Sequence, residues 1–380
     1  MKSLVNQSGK ILKKTNIFLG VFLLFIIILI AINPAKYSLV AFKGIEIWAK
    51  VLLPSLLPFF ILTKLFASTG VIDGITKIFS PLMAKLYNCP SESAYVFFMS
   101  IFTGYPVGSK LVSDLYISGT FNKSQAIRTT AFCSNSGPMF ILGSVAIGMF
   151  CDRKMGVIIL ASHILGAILN GLIYRNYGKS KGIKSNKAYK NAVNDIYKTQ
   201  EDKNNTTHSF GFNKYKQEKS EKLSYSLTRT QNADYDIKNK SCIDFSASVI
   251  SSINSILLIG GVICFTFVIL EVITSSHLFA YVISLFSKIG IDKNLLSSIF
   301  CGIGEITKGC LLLSQVSLPT FASYCICTFI ISFGGISTFL QAQAFLKNIV
   351  PAKIFLLQKT THAILSCMVC AILTLCFSKL

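Results

Sequence analysis

Residues 100–110 read Ser-Ile-Phe-Thr-Gly-Tyr-Pro-Val-Gly-Ser-Lys, and they interrupt a segment that is otherwise apolar enough to lie in a membrane. Glycine and proline both disfavour a continuous helix, and proline also lacks the amide donor that a helical turn needs. Inside a bilayer, an interrupted helix leaves backbone groups that require partners from protein, water or a ligand. The stretch therefore predicts a broken membrane helix that marks a functional site.

A similar frame returns 198 positions later in the chain. Residues 298–302 read Ser-Ile-Phe-Cys-Gly, and Lys308 occupies the place of Lys110. The same offset relates Gly137 to Gly335. Because one offset serves two separate landmarks, we interpret the two halves as products of an ancient duplication rather than of chance identity.

The composition indicates a polytopic membrane protein. Hydrophobic residues make up 52% of the 380 residues and charged residues 14%, whereas soluble domains have about 25% charged residues. The net charge of +21 does not indicate nucleic-acid binding, because fifteen of the 37 Lys and Arg residues lie between Arg175 and Lys240 instead of on a folded face with stacking aromatics. That distribution is typical of a cytoplasmic loop.

The apolar segments divide the chain into two halves with the same order of elements. Residues 1–38 hold a lysine-bearing stretch, predicted to be cytoplasmic, and the first membrane helix. Residues 39–175 and 244–380 each contain a span, an interfacial piece, two broken segments and a closing span. Residues 176–243 between them form a lysine-rich loop, predicted to be cytoplasmic and disordered because it holds few apolar residues. The broken segments are predicted at 93–117, 125–150, 295–316 and 320–346.

Topology follows from a parity argument. An N-terminus and a loop that share the cytoplasmic side require an even number of crossings, whereas five apolar segments precede residue 176. The broken segment 93–117 is the natural re-entrant hairpin, which leaves three crossings in the first half after the first helix. The second half then starts on the opposite side, so we predict an all-α membrane protein with two inverted-topology repeats and broken or re-entrant helices. Within the span at 45–67, Pro54 and Pro58 are predicted to kink or break the helix.

The breaks predict an anion site. A half-helix that begins after a break directs its free N–H groups and positive dipole end at the break. Short polar residues and glycines there allow a solute to approach the backbone closely. The predicted substrate-binding residues at the breaks are Gly104, Tyr105, Gly108, Ser109, Ser134, Asn135, Ser136, Gly137, Gly302, Gly304, Glu305 and Thr307.

Two lysines complete the predicted substrate site. Lys110 and Lys308 lie mid-segment, where a charge costs about 2.5–3.5 kcal/mol. We expect both to face a shared central cavity and to meet an anionic substrate. The alternative is that they snorkel or pair with carboxylates, since Asp114 is four residues from Lys110 and Glu305 is three from Lys308. Glu305 could also serve as a cation or proton site.

Other polar residues predict packing and not chemistry. His163 and His362 lie in the two closing spans, where a packing role with a satisfied hydrogen bond is expected. The twelve cysteines are scattered through apolar runs and are read as free thiols. Without a nucleophile-base-carboxylate set or a metal cluster in the sequence, we predict no enzyme activity and no cofactor.

These motifs resemble a known family. The sequence is similar to the sporulation integral membrane proteins of the YlbJ type, which carry paired nucleoside recognition or Gate domains. The resemblance covers roughly residues 40–175 and 245–377, so each half is expected to be a Gate-type repeat. The matching motifs lie at Leu53–Phe59, Thr103–Val112, Cys133–Gly143 and Gly302–Cys310.

The resemblance implies a function and a location. It implies an integral protein of the bacterial cell membrane, in the mother-cell or outer forespore membrane, that is needed for maturation of the spore cortex and core. Gate domains also look like the substrate-binding halves of concentrative nucleoside transporters. The implied cargo is dipicolinate, a dianion, moved from mother cell toward forespore.

Partners and competing functions follow from the same reading. The expected partners are a small-molecule anion and the lipid bilayer, with a second copy of the chain or other sporulation membrane proteins in addition. The competing interpretations are a non-transporting assembly or signalling protein and a transporter of a nucleoside-like solute.

Overall fold

The computed structural model describes residues 20–21, 23–178, 245–288 and 290–377. This part of the chain is built from helices and turns and contains no strand. The predictions for residues 1–16 and for the lysine-rich loop, apart from residues 176–178, fall outside the described residues. The cytoplasmic placement of both therefore stays a prediction.

In residues 20–175, apart from residue 22, the structure describes eight α-helices. They are α1 (Leu23–Ile32), α2 (Pro34–Ile47), α3 (Leu53–Ser68), α4 (Val71–Leu82), α5 (Glu92–Thr103), α6 (Val107–Ile117), α7 (Lys123–Thr130) and α8 (Arg153–Tyr174). Three π-helical segments accompany them, named π1 (Trp48–Leu52), π2 (Met83–Tyr87) and π3 (Phe140–Ile147).

The described part of the second half, residues 245–288 and 290–377, contains seven α-helices in a matching order. They are α9 (Phe245–Thr274), α10 (His277–Ser287), α11 (Lys293–Gly304), α12 (Ile306–Ser314), α13 (Thr320–Phe333), α14 (Gly335–Leu346) and α15 (Ala352–Phe377). Each half thus runs through a long span, a short helix, two interrupted segments and a closing span. The four interruptions predicted from sequence are present, between α5 and α6, α7 and π3, α11 and α12, and α13 and α14.

Five helical stretches are long and apolar enough to cross a membrane. They are Pro34–Phe66, Arg153–Tyr174, Phe245–Thr274, Thr320–Leu346 and Ala352–Cys376. Large apolar side chains on them are exposed, among them Phe42, Phe265 and Ile372, and an exposed apolar surface of this kind suits lipid better than water. The predicted all-α membrane fold is confirmed, and the inverted orientation of the repeats stays a prediction.

The span at 45–67 was predicted to kink or break at Pro54 and Pro58, and the structure shows that it does not break. Helical structure continues from Pro34 to Phe66, and the five residues of π1 end two positions before the first proline. A π-turn changes the backbone pairing locally, which accommodates the amide that proline lacks and the clash of its ring with the preceding turn. The helix is therefore distorted at π1 without being interrupted.

The two halves interlock through shared cores. One buried cluster joins α5, α6 and α7 to α14, for example through Val112 and Leu346. A second joins π3 and α8 to α12, α13 and α15, for example through Ile141 and Ile331. Each half therefore buries its interrupted helices partly against those of the other half.

A third cluster joins α2, π1 and α3 to α9, and we call these four elements the scaffold helices. The Trp48 indole N–H donates to the Ile256 carbonyl at 3.0 Å. A methyl group added at Gly260 would lie 2.6 Å from the same indole. The missing side chain at Gly260 thus allows close packing between α9 and the first long span.

Candidate functional site

A cavity of about 90 Å³ lies where the helix breaks converge. One water needs about 10–15 Å³ on this measure, so there is room for several heavy atoms of a solute. The scaffold helices supply an apolar wall consisting of Leu52, Leu56, Phe60, Ile259, Val262 and Ile263. The opposite wall includes Thr103, Gly104, Tyr105, Ser136, Gly137, Glu305, Thr307, Ser337, Thr338 and Gln341.

The two breaks of the first half contact each other through backbone. Gly104 has φ +72°, and a methyl group there would lie 2.7 Å from the Gly137 nitrogen. A methyl group at Gly108 would overlap the carbonyl oxygen of Cys133. Only glycine allows both the left-handed backbone at position 104 and the close approach at position 108. The predicted glycines therefore hold the two breaks together.

The two breaks of the second half also contact each other. A methyl group at Gly335 would lie 3.2 Å from the carbonyl oxygens of Gly302 and Gly304. Gly334 and Gly335 both have positive φ, at +88° and +70°. Gly137 and Gly335 are related by the 198-residue offset, as are Gly104 and Gly302, so the same pair of positions meets in each half.

Glu305 caps the half-helix that follows its break. Its Oε2 accepts the backbone N–H of Lys308 at 2.7 Å, at the N-terminus of α12. The carboxylate is buried, and the helix dipole favours a negative charge at this end. The anion-binding capacity of this helix end is thus already used by a carboxylate of the protein.

The closing helices α8 and α15 satisfy the break between α7 and π3. The Asn170 amide donates to the Ala131 carbonyl at 2.7 Å, and the Gln358 amide donates to the Ile127 carbonyl at 2.7 Å. His163 Nε2 accepts the N–H of Ser136 at 2.9 Å. Backbone groups that the interruption leaves free therefore have side-chain partners from two other helices.

His163 and His362 lie together in the interior. Their ring centroids are 4.7 Å apart, and His163 Nδ1 is 2.8 Å from Ser332 Oγ. Because His163 Nε2 accepts from a backbone amide, Nδ1 carries the proton and donates to the serine. His362 Nε2 donates to the His163 carbonyl at 3.0 Å. The expected hydrogen bonds are present, and His163 in addition fixes the backbone of a break.

Lys359 on α15 was missed from sequence. Its side chain is 4% exposed, and the ammonium donates to the Tyr105 hydroxyl and, at 2.9 Å, to the Ser134 carbonyl. His362 Nδ1 lies 3.5 Å away, and the ammonium also lies over the Tyr105 ring at 4.8 Å from its centroid. The available signal was a lysine in an apolar span three residues before a histidine. The repeat comparison could not reveal it, because Ala161 occupies the corresponding position.

Two buried polar atoms at the same break have no hydrogen-bond partner among the described residues. They are the Ser134 hydroxyl and Asn135 Oδ1, in side chains that are 5% and 2% exposed. The Asn135 amide group is satisfied, since it donates to Ser100 Oγ at 3.2 Å and to the Phe132 carbonyl at 2.9 Å. An unpaired buried polar atom costs about 1–3 kcal/mol, so a hydrogen bond from a water or from a shift of this break would stabilise these two.

The structure brings together most of the predicted site residues. Those lining the cavity are Gly104, Tyr105, Ser136, Gly137, Glu305 and Thr307. Six others lie at the breaks without lining it, namely Gly108, Ser109, Ser134, Asn135, Gly302 and Gly304.

The two predicted lysines need correction, because neither lines the cavity. Lys110 lies within α6, one turn beyond the break. The Lys308 ammonium lies 3.5 Å from Glu271 Oε2 and 3.5 Å from the Phe267 carbonyl. Its partner is thus a carboxylate on α9, and Glu305 receives the backbone amide of Lys308. Glu271 also pairs with Lys36 at 3.5 Å, so it joins α2, α9 and α12.

No metal centre is evident in the described part of the chain, where no three His, Cys, Asp or Glu side chains cluster at ligand distance. The cysteines in the described ranges are free, and the Cys310 and Cys327 sulfurs lie 3.9 Å apart. The polar site therefore offers hydrogen-bonding groups and one buried amine.

Comparison with known proteins bears on this architecture. Residues 49–150 match the Gate family, described as nucleoside recognition. The chain is 26% identical over 340 residues to the sporulation integral membrane protein YlbJ of Bacillus subtilis (strain 168), covering 87% of this chain and 75% of the relative. No solved structure matches. The resemblance expected from the motifs is confirmed: this is an integral membrane protein similar to YlbJ over most of its length, with a Gate match that contains the breaks of the first half.

Proposed function

We propose that this protein is a sporulation membrane transporter that moves a small organic anion. Dipicolinate, carried from mother cell toward forespore for maturation of the spore cortex and core, is the cargo that the family resemblance implies. The observation that carries the proposal is the convergence of interrupted helices from both halves on one cavity. Interrupted helices are expensive in a bilayer, and transporters place them at the substrate site.

The two walls of the cavity suit a small planar anion. Leu52, Phe60 and Ile263 offer an apolar surface to a ring. On the other side, α14 begins at Gly335 beside the cavity, and Ser337 and Thr338 in its first turn line it. Free amides and hydroxyls at a helix start bind carboxylates without needing a charged side chain.

Transport into proteoliposomes tests this function. Purified full-length protein is reconstituted, and uptake of labelled dipicolinate is compared with uptake into protein-free vesicles and with uptake of labelled uridine. Saturable uptake of dipicolinate is the expected result. Saturable uptake of neither solute would contradict transport of these solutes and favour the assembly or signalling role.

A second candidate is a transporter of a nucleoside-like solute. The observation in its favour is that Glu305 and Gln341 line the cavity, because a carboxylate and an amide suit hydroxyl and base groups better than a carboxylate solute. The Gate match described as nucleoside recognition agrees with it. In the same vesicles, uptake of uridine without uptake of dipicolinate would select this candidate.

A further inference from the structure

We propose that Lys359, acting through the Tyr105 hydroxyl, supplies the positive charge that balances a negatively charged solute in the cavity. This inference rests on the proposed function, in that it assigns a charge partner to the transported anion. It replaces the two lysines expected from the repeat with one that the repeat does not contain.

The first step concerns burial and charge. Lys359 is 4% exposed, and within the described ranges no carboxylate lies within 4.0 Å of its ammonium. The ammonium donates to neutral groups, namely the Tyr105 hydroxyl, the Ser134 carbonyl and the His362 imidazole nitrogen. A buried ammonium held only by neutral acceptors lacks the counter-charge that buried lysines usually have. Lys308, by contrast, already has Glu271 as its partner.

The second step connects Lys359 to the cavity. Tyr105 lines the cavity, and its hydroxyl oxygen accepts from the Lys359 ammonium. A phenol that accepts through its oxygen still has its own proton to donate. The ammonium polarises that O–H group, so the hydroxyl becomes a stronger donor toward a carboxylate in the cavity.

The third step is that both halves of the chain contact the pair formed by Lys359 and Tyr105. Gly334, at the break between α13 and α14, packs against it, since a methyl group there would lie 3.1 Å from the Tyr105 hydroxyl and 3.4 Å from Lys359 Cε. The unpartnered Ser134 hydroxyl belongs to the residue whose carbonyl binds the ammonium. The amine thus lies at three of the four breaks, where a charge acts on whichever solute they enclose.

The experiment measures binding to the purified full-length protein by isothermal titration calorimetry. The probes are pyridine-2,6-dicarboxylate and the uncharged pyridine-2,6-dimethanol, which share a ring and differ in charge. The variants are Lys359→Met and Tyr105→Phe, with Lys50→Met as a matched control because Lys50 is exposed and paired with Glu46. Thermal unfolding confirms that each variant is folded.

We expect Lys359→Met to weaken binding of the dicarboxylate by about 10- to 100-fold, as for loss of a hydrogen bond to a charged group. Binding of the neutral probe should not change, and Tyr105→Phe should lower the dicarboxylate affinity by a smaller factor. The control should bind both probes like the wild type.

The outcomes separate this inference from the proposed function. Equal weakening of both probes would show a structural role for Lys359 and overturn the inference, as would unchanged binding of the dicarboxylate. If Lys359→Met fails to fold, an unchanged ratio of the two affinities in Tyr105→Phe overturns it. Failure of the wild type to bind the dicarboxylate would instead contradict the proposed anion transport itself.

Discussion

The breaks of the first half and those of the second half line the same cavity, yet their backbone groups find partners in different ways. Between α7 and π3, the free groups are bound by side chains from α8 and α15, including His163, Asn170 and Lys359. Between α11 and α12, the half-helix is capped by Glu305, a residue of the break itself. The first half therefore depends on distant helices, whereas this break of the second half supplies its own cap.

This difference predicts unequal roles for the two breaks. A break that carries its own carboxylate cap has little capacity left for another anion. A break that is supported from outside keeps unpaired groups, such as the Ser134 hydroxyl and Asn135 Oδ1, next to a buried amine. We infer that the two breaks offer a solute different chemistry, because the break between α7 and π3 lies next to a buried amine and the break between α11 and α12 presents a carboxylate.

The largest effect is expected from Gly108→Ala. The added methyl group would overlap the backbone carbonyl of Cys133, which cannot move without shifting a whole break. Overpacking against backbone should lower the free energy of unfolding by about 3 kcal/mol, measured by thermal unfolding in detergent.

Two further glycines sharpen this comparison. For Gly302→Ala the three nearest atoms to the added methyl group belong to the buried Ile330 side chain, at 2.8 Å, and a side chain can shift further than backbone, so the loss should be about 2 kcal/mol. Gly261→Ala is the control, since nothing lies within 4 Å of the added methyl group. Equal losses for Gly108→Ala and Gly302→Ala would contradict the distinction between a methyl group that meets backbone and one that meets a side chain.

The next effect is expected from His163→Leu. The Ser136 N–H loses its acceptor and becomes an unpaired buried donor, which should cost about 1–3 kcal/mol. His362→Leu is the matched variant and should cost less, because the His163 carbonyl already lies inside α8 and the Lys359 ammonium, which loses the Nδ1 contact at 3.5 Å, keeps Tyr105 and Ser134 as acceptors. A larger loss for His362→Leu would show that the break does not depend on His163.

A smaller effect is expected from Glu271→Gln. The change removes the negative charge shared by Lys36 and Lys308. Glu271 is about a quarter exposed, so solvent screens the interaction and the loss should be about 1 kcal/mol. Lys36→Met should lower the free energy of unfolding by less, because Lys36 is more exposed than Lys308. If high salt abolished the stability loss of both variants, the contribution of the buried Lys308 would be contradicted.

The smallest effect is expected from Glu305→Gln, and its sign is informative. A glutamine oxygen still accepts the Lys308 N–H, so the cap and the fold should remain. Removing a carboxylate from the cavity wall should raise affinity for pyridine-2,6-dicarboxylate by about two- to fivefold. Lower affinity for uridine in the same variant, without that gain, would favour the nucleoside-like solute.

Much of the fold was predictable because it follows from local properties of the chain. Apolar runs gave the spans, and glycine or proline at positions 104–106, 137–138 and 334–335 gave the breaks. The uninterrupted helix through Pro54 was not predictable in this way. The π-turn before it lies where Trp48 packs on α9, more than 200 residues away along the chain.

The candidate site was predictable in its backbone and not in its charges. The 198-residue offset relates Gly104 to Gly302 and Gly137 to Gly335, and the other glycines and small polar residues were predicted because they stand at the breaks. Lys359 has no counterpart in the first half. Lys308 pairs with Glu271, which lies 37 residues earlier in the chain on a different helix. Such pairings depend on how helices pack against each other, which neither periodicity nor a repeat encodes.

The apolar wall supplied by the scaffold helices has a mechanical consequence. Contacts among alkyl side chains have no preferred direction, so α3 and α9 can slide past the break tips without breaking directed bonds along that wall. Two polar contacts join the scaffold helices to the helices at the breaks. Ser55 on α3 lies 2.8 Å from Ser144 in π3, and Glu271 on α9 pairs with Lys308 on α12. The cavity therefore has one wall of closely packed backbone and one apolar wall, and the contacts of Ser55 with Ser144 and of Lys308 with Glu271 join the two. If the protein transports a solute as proposed, displacement of α3 and α9 would open the cavity while the backbone at the breaks keeps its shape.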